Sequence, residues 1–162
     1  ERAADLRGPQ PRMGDEHREP SPYGDSRQLR LHGYDVTLSG ELGARLEALD
    51  ADPRWLTTWW QQGERDRCVD RPAPCPVLAE PPRTGQFEHG WKFAAVQRLS
   101  HEFRPFVWVD DLAITSAARR WADTVCPVRS LLLAPDSAVG LTRLEMDAIE
   151  DFVDSVHDPE LP

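Results

Sequence analysis

"PFVWVDDLA", residues 105–113, places a short apolar run directly before two adjacent aspartates. Such a run is typical of a buried strand. Because like charges repel, Asp110 and Asp111 need a stabilising partner if they share one strand end. Mg²⁺ is a suitable partner, since it favours carboxylate oxygens. The stretch therefore predicts a core strand with a candidate metal site at its carboxyl end.

Strand patterns alternate with helical patterns on both sides of this stretch. A hairpin is predicted in "LRLHGYDVTL" (29–38), a short buried strand in "RWLTTWW" (54–60) and a third core strand in "RSLLLAP" (129–135). Helices are predicted from a Ser39 cap to Leu49, over 91–100, after a Thr115 cap and after a Thr142/Glu145 capping box. Strands that are almost wholly apolar and alternate with helices predict an α/β sandwich with a mainly parallel sheet.

The 162 residues fit one domain of ordinary size, flanked by short polar segments. Residues 1–28 are polar, charged and rich in proline, which predicts a flexible segment. The folded domain is predicted over 29–156, with a tail at 157–162. Residues 61–88 contain five prolines within this domain and are predicted to be a loop insertion.

Composition limits the possible partners and the cellular location. A formal net charge of −9 argues against a broad surface that tracks nucleic-acid phosphates, although local basic contacts are compatible with it. Three cysteines form neither an even disulfide framework nor a C-x-x-C metal pair. No apolar run reaches membrane-spanning length, and no apolar signal segment opens the chain. We expect a cytoplasmic protein with reduced thiols and no membrane partner.

Polar side chains follow two of the predicted strands. Thr57 and Thr58 come at the end of one strand, and Asp110 and Asp111 end another. Lys92, the single lysine of the chain, begins the helix that leads into the second strand. Sites in parallel sheets form at the carboxyl ends of the strands. A hydroxyl, an ammonium and two carboxylates at one edge form a plausible seat for a phosphate and a divalent cation.

The segments "WLTTWW", "GWKFAAV", "FVWVDD" and "LLLAPDSAVGLT", in this order, resemble the haloacid dehalogenase-like (HAD-like) superfamily of phosphohydrolases. The resemblance is to small actinobacterial HAD-like domains related to those of "Swiss army knife" RNA-repair proteins. It extends from about Arg27 to Val153.

The resemblance implies a three-layer α/β/α Rossmann-like parallel sheet and a Mg²⁺-dependent phosphatase that works through an aspartyl-phosphate. Thr57, with Thr58 beside it, would bind the phosphoryl group, and Lys92 would balance the charge on the phosphoryl group and the nucleophile. Asp110 and Asp111 would hold Mg²⁺. The implied substrate is a phosphorylated small molecule or a nucleic-acid end.

The first motif of the family, a strand ending in D-x-D, does not precede the hairpin. The only D-x-D is Asp50-Ala51-Asp52, which we reject as the nucleophile because it follows a helical pattern and is broken by Pro53. The missing motif is also the central strand of the family's sheet, whose loss would leave two inner edges unpaired. We expect that the chain lacks its true start; a degenerate copy that closes its sheet differently is the alternative.

Three function classes therefore stay open. The first is a phosphatase scaffold without its nucleophile motif. The second is a non-catalytic module that binds phosphate, metal or a protein. The third assigns base stacking to the tryptophans, although core packing is the favoured role for most of them. These residues are Trp55, Trp59, Trp60, Trp91, Trp108 and Trp121.

Overall fold

The computed structural model describes residues 22–31, 34–56, 76–81 and 90–157, which form a mixed α/β arrangement. The strands are β1 (Ser26–Leu31), β2 (Tyr34–Ser39), β3 (Phe106–Val109) and β4 (Ser130–Leu133). The helices are α1 (Gly40–Ala48), α2 (Gly90–Ser100), α3 (Ser116–Thr124) and α4 (Arg143–His157). β1 pairs with β2 antiparallel, and β3 pairs with β4 parallel.

The predicted hairpin, the four predicted helices and the core strands at 106–109 and 130–133 are confirmed in this part of the chain. The predicted strand at 54–60 is described only as far as Leu56 and shows a single bridge, at Trp55. β1 begins at Ser26, three residues before the predicted domain boundary, and Tyr23 is buried. Ordered structure therefore extends into the segment that was predicted to be flexible. The Thr115 cap is also present, since its hydroxyl accepts a hydrogen bond from the amide of Ala118 at 3.3 Å.

Asp25 adds a second contact to the start of α1, besides the predicted Ser39 cap. The Ser39 hydroxyl accepts from the amide of Leu42 and donates to Asp25 Oδ1 at 2.7 Å. Asp25 Oδ2 accepts from the amide of Glu41 at 2.8 Å. A Cβ at Gly40 would lie 2.9 Å from that oxygen, so this close approach favours glycine. The hydrogen bond from Ser39 lowers the pKa of the Asp25 carboxyl.

The hydrophobic core lies between the parallel strands and the two helices around them. Its buried members are Val96, Phe106, Trp108, Ala113, Ile114, Ala118 and Leu132. Phe93 lies parallel to Trp108 at 6.2 Å between ring centroids and meets Trp121 edge-on at 5.5 Å. Aromatic pairs in these arrangements add to the stabilisation from apolar burial. Core packing is therefore the observed role of Trp108 and Trp121.

Part of the proline-rich insertion pairs with the strand that precedes it. Trp55 forms a parallel bridge with Val77: its amide donates to the carbonyl of Pro76 at 2.8 Å, and its carbonyl accepts from Leu78 at 2.8 Å. Loop was predicted for all of 61–88, so this contact differs from the prediction. Residues 61–75 and 82–88 of the insertion lie outside the described ranges.

Helix α4 begins with the predicted capping box and holds α1 through ion pairs. The amide of Thr142 donates to Glu145 Oε2 at 2.8 Å, and the amide of Glu145 donates to the Thr142 hydroxyl at 3.2 Å. Arg45 of α1 binds both Asp147 and Glu150 of α4. Its hydrogen bonds lower the pKa of Glu150. None of the helices described is both long and apolar enough to cross a membrane.

The turn after α2 contains a strained residue whose replacement is expected to stabilise the fold. Phe103 has a φ of 55° and is 72 % exposed. A left-handed conformation costs most residues about 1–2 kcal/mol, whereas asparagine tolerates it better. We expect Phe103→Asn to raise the free energy of unfolding by about 1 kcal/mol in urea titrations. Phe103→Ala is the control, because it removes the ring but keeps Cβ; an equal gain in both variants would contradict the explanation by strain.

Candidate functional site

A buried ion pair joins the first turn of α2 to the carboxyl end of β3. Lys92 Nζ lies 2.6 Å from Asp110 Oδ2, and their side chains are 10 % and 5 % exposed. Lys92 is therefore a buried lysine and not a surface one. The predicted convergence of Lys92 and Asp110 is confirmed.

The second oxygen of Asp110 holds the turn that follows β3. Asp110 Oδ1 accepts from the amides of Leu112 at 3.0 Å and Ala113 at 2.7 Å. The Asp110 amide donates to the carbonyl of Leu133 at 3.1 Å, which extends the pairing of β3 with β4. One residue thus connects α2, both parallel strands and the turn that leads into α3.

Strand alternation explains why these groups meet. Successive side chains of a strand point to opposite faces, so Phe106, Trp108 and Asp110 share one face. Two neighbouring residues of α2 contact that face, since Lys92 binds Asp110 and Phe93 stacks on Trp108. The ion pair and the aromatic pair are therefore adjacent contacts of a single α2–β3 interface.

This interface has more hydrogen-bond donors than acceptors. An ammonium has three N–H donors, and in the described part of the chain Asp110 accepts the one side-chain hydrogen bond that Lys92 makes. The indole Nε1 atoms of Trp91 and Trp108 are buried and have no partner among the described residues. Sequence reasoning assigned Trp108 to the core and missed its unpaired donor. Its place two residues before Asp110, on the same face, is the signal that could have found it.

The other predicted site residues are only partly described. Asp111 is exposed at the start of the turn after β3. Thr57 and Thr58 lie outside the described residues. Leu56, which precedes them, packs against the core cluster that contains Trp108. The chain therefore enters the predicted threonine segment beside the same core.

The described residues fit a weakly held Mg²⁺ ion better than a closed metal cage. Within the described ranges, no group of three His, Cys, Asp or Glu side chains is placed to hold a metal. Both lone pairs of Asp110 Oδ1 are used by amides and one on Oδ2 by Lys92, which leaves one free. Mg²⁺ is often bound by one or two carboxylates together with waters and phosphate oxygens. Asp110 and exposed Asp111 are compatible with that mode, although Lys92 neutralises Asp110.

The single D-x-D of the chain has surroundings that argue against a nucleophile. Asp50 lies two residues after the last residue of α1, its side chain is 91 % exposed, and its Oδ2 lies 3.8 Å from His157 Nε2. Asp52 Oδ2 accepts from Arg54 at 3.0 Å. The rejection of Asp50 on sequence grounds thus agrees with its position after a helix.

Comparison of the chain with protein-family models, with curated proteins and with solved structures finds no match.

The ion pair is expected to show strong coupling in a double-mutant cycle. Lys92→Met leaves a buried carboxylate without its cation, and Asp110→Asn leaves a buried ammonium without its anion. Each change should lower the free energy of unfolding by about 3–5 kcal/mol, because a single buried charge is left uncompensated. The double variant K92M/D110N removes both charges and keeps an acceptor for the two turn amides. It should be at least as stable as either single variant in urea titrations.

An exposed ion pair provides the control for that cycle. Arg143 Nη2 lies 2.7 Å from Glu41 Oε2, with side chains 54 % and 38 % exposed. Arg143→Met should therefore change the stability by less than about 1 kcal/mol. Additive losses for Lys92 and Asp110 would show that these two charges do not depend on each other.

Proposed function

We propose that the chain is a HAD-like phosphohydrolase scaffold of three-layer α/β/α Rossmann-like type that binds the phosphoryl group of a phosphomonoester with Mg²⁺. The observation that carries this proposal is the buried Lys92–Asp110 pair at the carboxyl end of β3. A lysine that keeps two N–H donors beside a strand end is suited to bind phosphoryl oxygens. Its position agrees with the "GWKFAAV" and "FVWVDD" segments that carry the family resemblance.

Each site residue has a defined role in this proposal. Lys92 donates to a phosphoryl oxygen while Asp110 holds its ammonium in place. The Thr57 hydroxyl donates to a second oxygen, and Thr58 lies next to it. Asp111, with the remaining lone pair of Asp110, holds Mg²⁺. When bound, the metal offsets the negative charge of the phosphoryl group.

The aspartyl-phosphate chemistry needs a carboxylate that attacks phosphorus, in a strand ending in D-x-D. In the sequence, the one D-x-D follows a helical pattern and not an apolar strand pattern. We therefore propose that these residues bind the phosphoryl group, and that turnover needs a D-x-D strand in addition. A nucleic-acid end is the substrate class that the RNA-repair resemblance favours, held by local contacts because the net charge is −9. The proposed location is the cytoplasm.

A non-catalytic binding module is the second candidate. It is favoured by the environment of Asp110, whose carboxylate is already bonded to Lys92 and to two turn amides. Among the described residues, no second carboxylate lies within ion-pair distance of Lys92. Such a site would retain a phosphate or a protein ligand without breaking a bond.

Mg²⁺ binding is best tested at Asp111, because it is exposed and its loss leaves the buried ion pair intact. Mg²⁺ that binds the folded state is expected to raise the melting temperature. Asp111→Asn should remove most of this rise, and Asp123→Asn, which changes an exposed aspartate of α3, should keep it. The measurement is a thermal melt over a series of MgCl₂ concentrations at constant ionic strength. An equal Mg²⁺ response in Asp111→Asn and the unmodified chain would contradict the metal assignment.

Turnover by the 162-residue chain should be nearly absent, because it lacks the attacking aspartate. Loss of a nucleophile costs several orders of magnitude in rate even where binding survives. The assay uses p-nitrophenyl phosphate and a 5′-phosphorylated oligonucleotide with Mg²⁺. Joining to Glu1 the residues encoded directly upstream should restore turnover if they form an apolar strand ending in D-x-D, and changing the first aspartate should remove it. Rapid hydrolysis by the 162 residues alone would contradict our motif assignment.

A further inference from the structure

The indole N–H of Trp108, like that of Trp91, is a buried polar group that the proposed function leaves without a role. The side chain of Trp108 is 4 % exposed, and its indole Nε1 has no hydrogen-bond partner among the described residues. A buried donor left unpaired typically costs about 1–3 kcal/mol. Phenylalanine would fill most of the same space without burying an unpaired donor. We therefore expect that an acceptor binds the indole N–H.

The position of Trp108 places it next to the ion pair. Residues two apart on a strand share a face and are separated by about 6.8 Å. Trp108 stacks on Phe93, and Asp110 binds Lys92, the residue before Phe93 on α2. Both the indole and the ammonium thus belong to one small part of the α2–β3 interface.

The chemistry of this part of the interface favours an anion. Its donors are the two remaining N–H groups of Lys92 and the Trp108 N–H, whereas Asp110 keeps only one unused lone pair. A tetrahedral oxyanion carries acceptors in four directions, so it can accept from an ammonium and an indole N–H at the same time. A cation or an uncharged donor ligand would leave these N–H groups unpaired.

We infer that the indole N–H of Trp108 is a binding group for the same oxyanion that Lys92 binds. This inference rests on the proposed phosphoryl site and adds a second, uncharged donor to it. A fixed indole N–H binds one oxygen of the anion in a defined direction, whereas the ammonium acts as a compact point charge.

Indole resonances in ¹⁵N–¹H NMR spectra report on this contact directly. The chain has six tryptophans, and the Trp108 signal is assigned by its loss in Trp108→Phe. Inorganic phosphate is titrated at constant ionic strength. We expect a saturable shift of the Trp108 Nε1–H signal that is absent in K92M/D110N, which lacks the ammonium and buries no uncompensated charge. We also expect Trp108→Phe to weaken phosphate binding about tenfold, which is the size of effect that a hydrogen bond to a charged group supports.

Trp121→Phe is the matched control. Trp121 of α3 packs on Phe93 and on Phe106, which lies four residues before Asp110 in the chain. Its replacement should leave the phosphate affinity within about twofold of the original, since no donor to the anion is lost. An equal loss of affinity in both variants would overturn the inference, because a packing defect would then explain it.

The remaining outcomes separate this inference from the proposed function. Phosphate binding that depends on Lys92 but leaves the Trp108 signal and the Trp108→Phe affinity unchanged would overturn the role of Trp108 alone. A buried water that accepts the hydrogen bond from the indole N–H would explain that result. Absence of any Lys92-dependent phosphate binding would overturn both proposals. If Trp108→Phe does not fold, the phosphate-dependent shift of the Trp108 signal in the unmodified chain still tests the inference. The signal is then assigned by selective labelling.

Discussion

The buried contact between Lys92 and Asp110 is the interaction on which the described core depends. It fixes the first turn of α2 against the end of β3, and the same carboxylate orders the turn toward α3. Two ions of opposite charge are stable in an apolar interface only while each keeps its partner. The ion pair therefore specifies one register of α2 on the strand, beside the stack of Phe93 on Trp108.

This interaction also limits the chemistry of the site. Because the ammonium neutralises the carboxylate beside it, the pair as a whole is uncharged, and Asp111 supplies the remaining formal charge. The buried part of the site has spare N–H donors and a single unused lone pair. It is therefore better suited to an anion than to a bare cation. In the proposed site, Mg²⁺ would take most of its ligands from waters or phosphate oxygens.

The contact between Lys92 and Asp110 could be predicted from the order of residues alone. Strand alternation assigns Asp110 to a face, and sites in parallel sheets form at the carboxyl ends of the strands. The hydrogen bonds from Asp110 to the turn could not, because spacing does not show whether a carboxylate binds a ligand or nearby amides. The unpaired indole of Trp108 was missed for a similar reason, since spacing assigns a face and not a partner. The carbonyl of Pro76 accepts a hydrogen bond from the amide of Trp55, and this contact needs no N–H from proline. The prolines of this segment therefore do not exclude the bridge between Trp55 and Val77.

The ion pairs of Arg45 have a consequence for the order of events during synthesis. Arg45 and its acidic partners on α4 are 102 and 105 residues apart in the chain. At about 5–20 residues per second, a ribosome needs roughly 5–20 s to make the intervening segment. Throughout that interval α1 exists without the helix that Arg45 binds. The docking of α1 on α4 therefore follows the synthesis of α4.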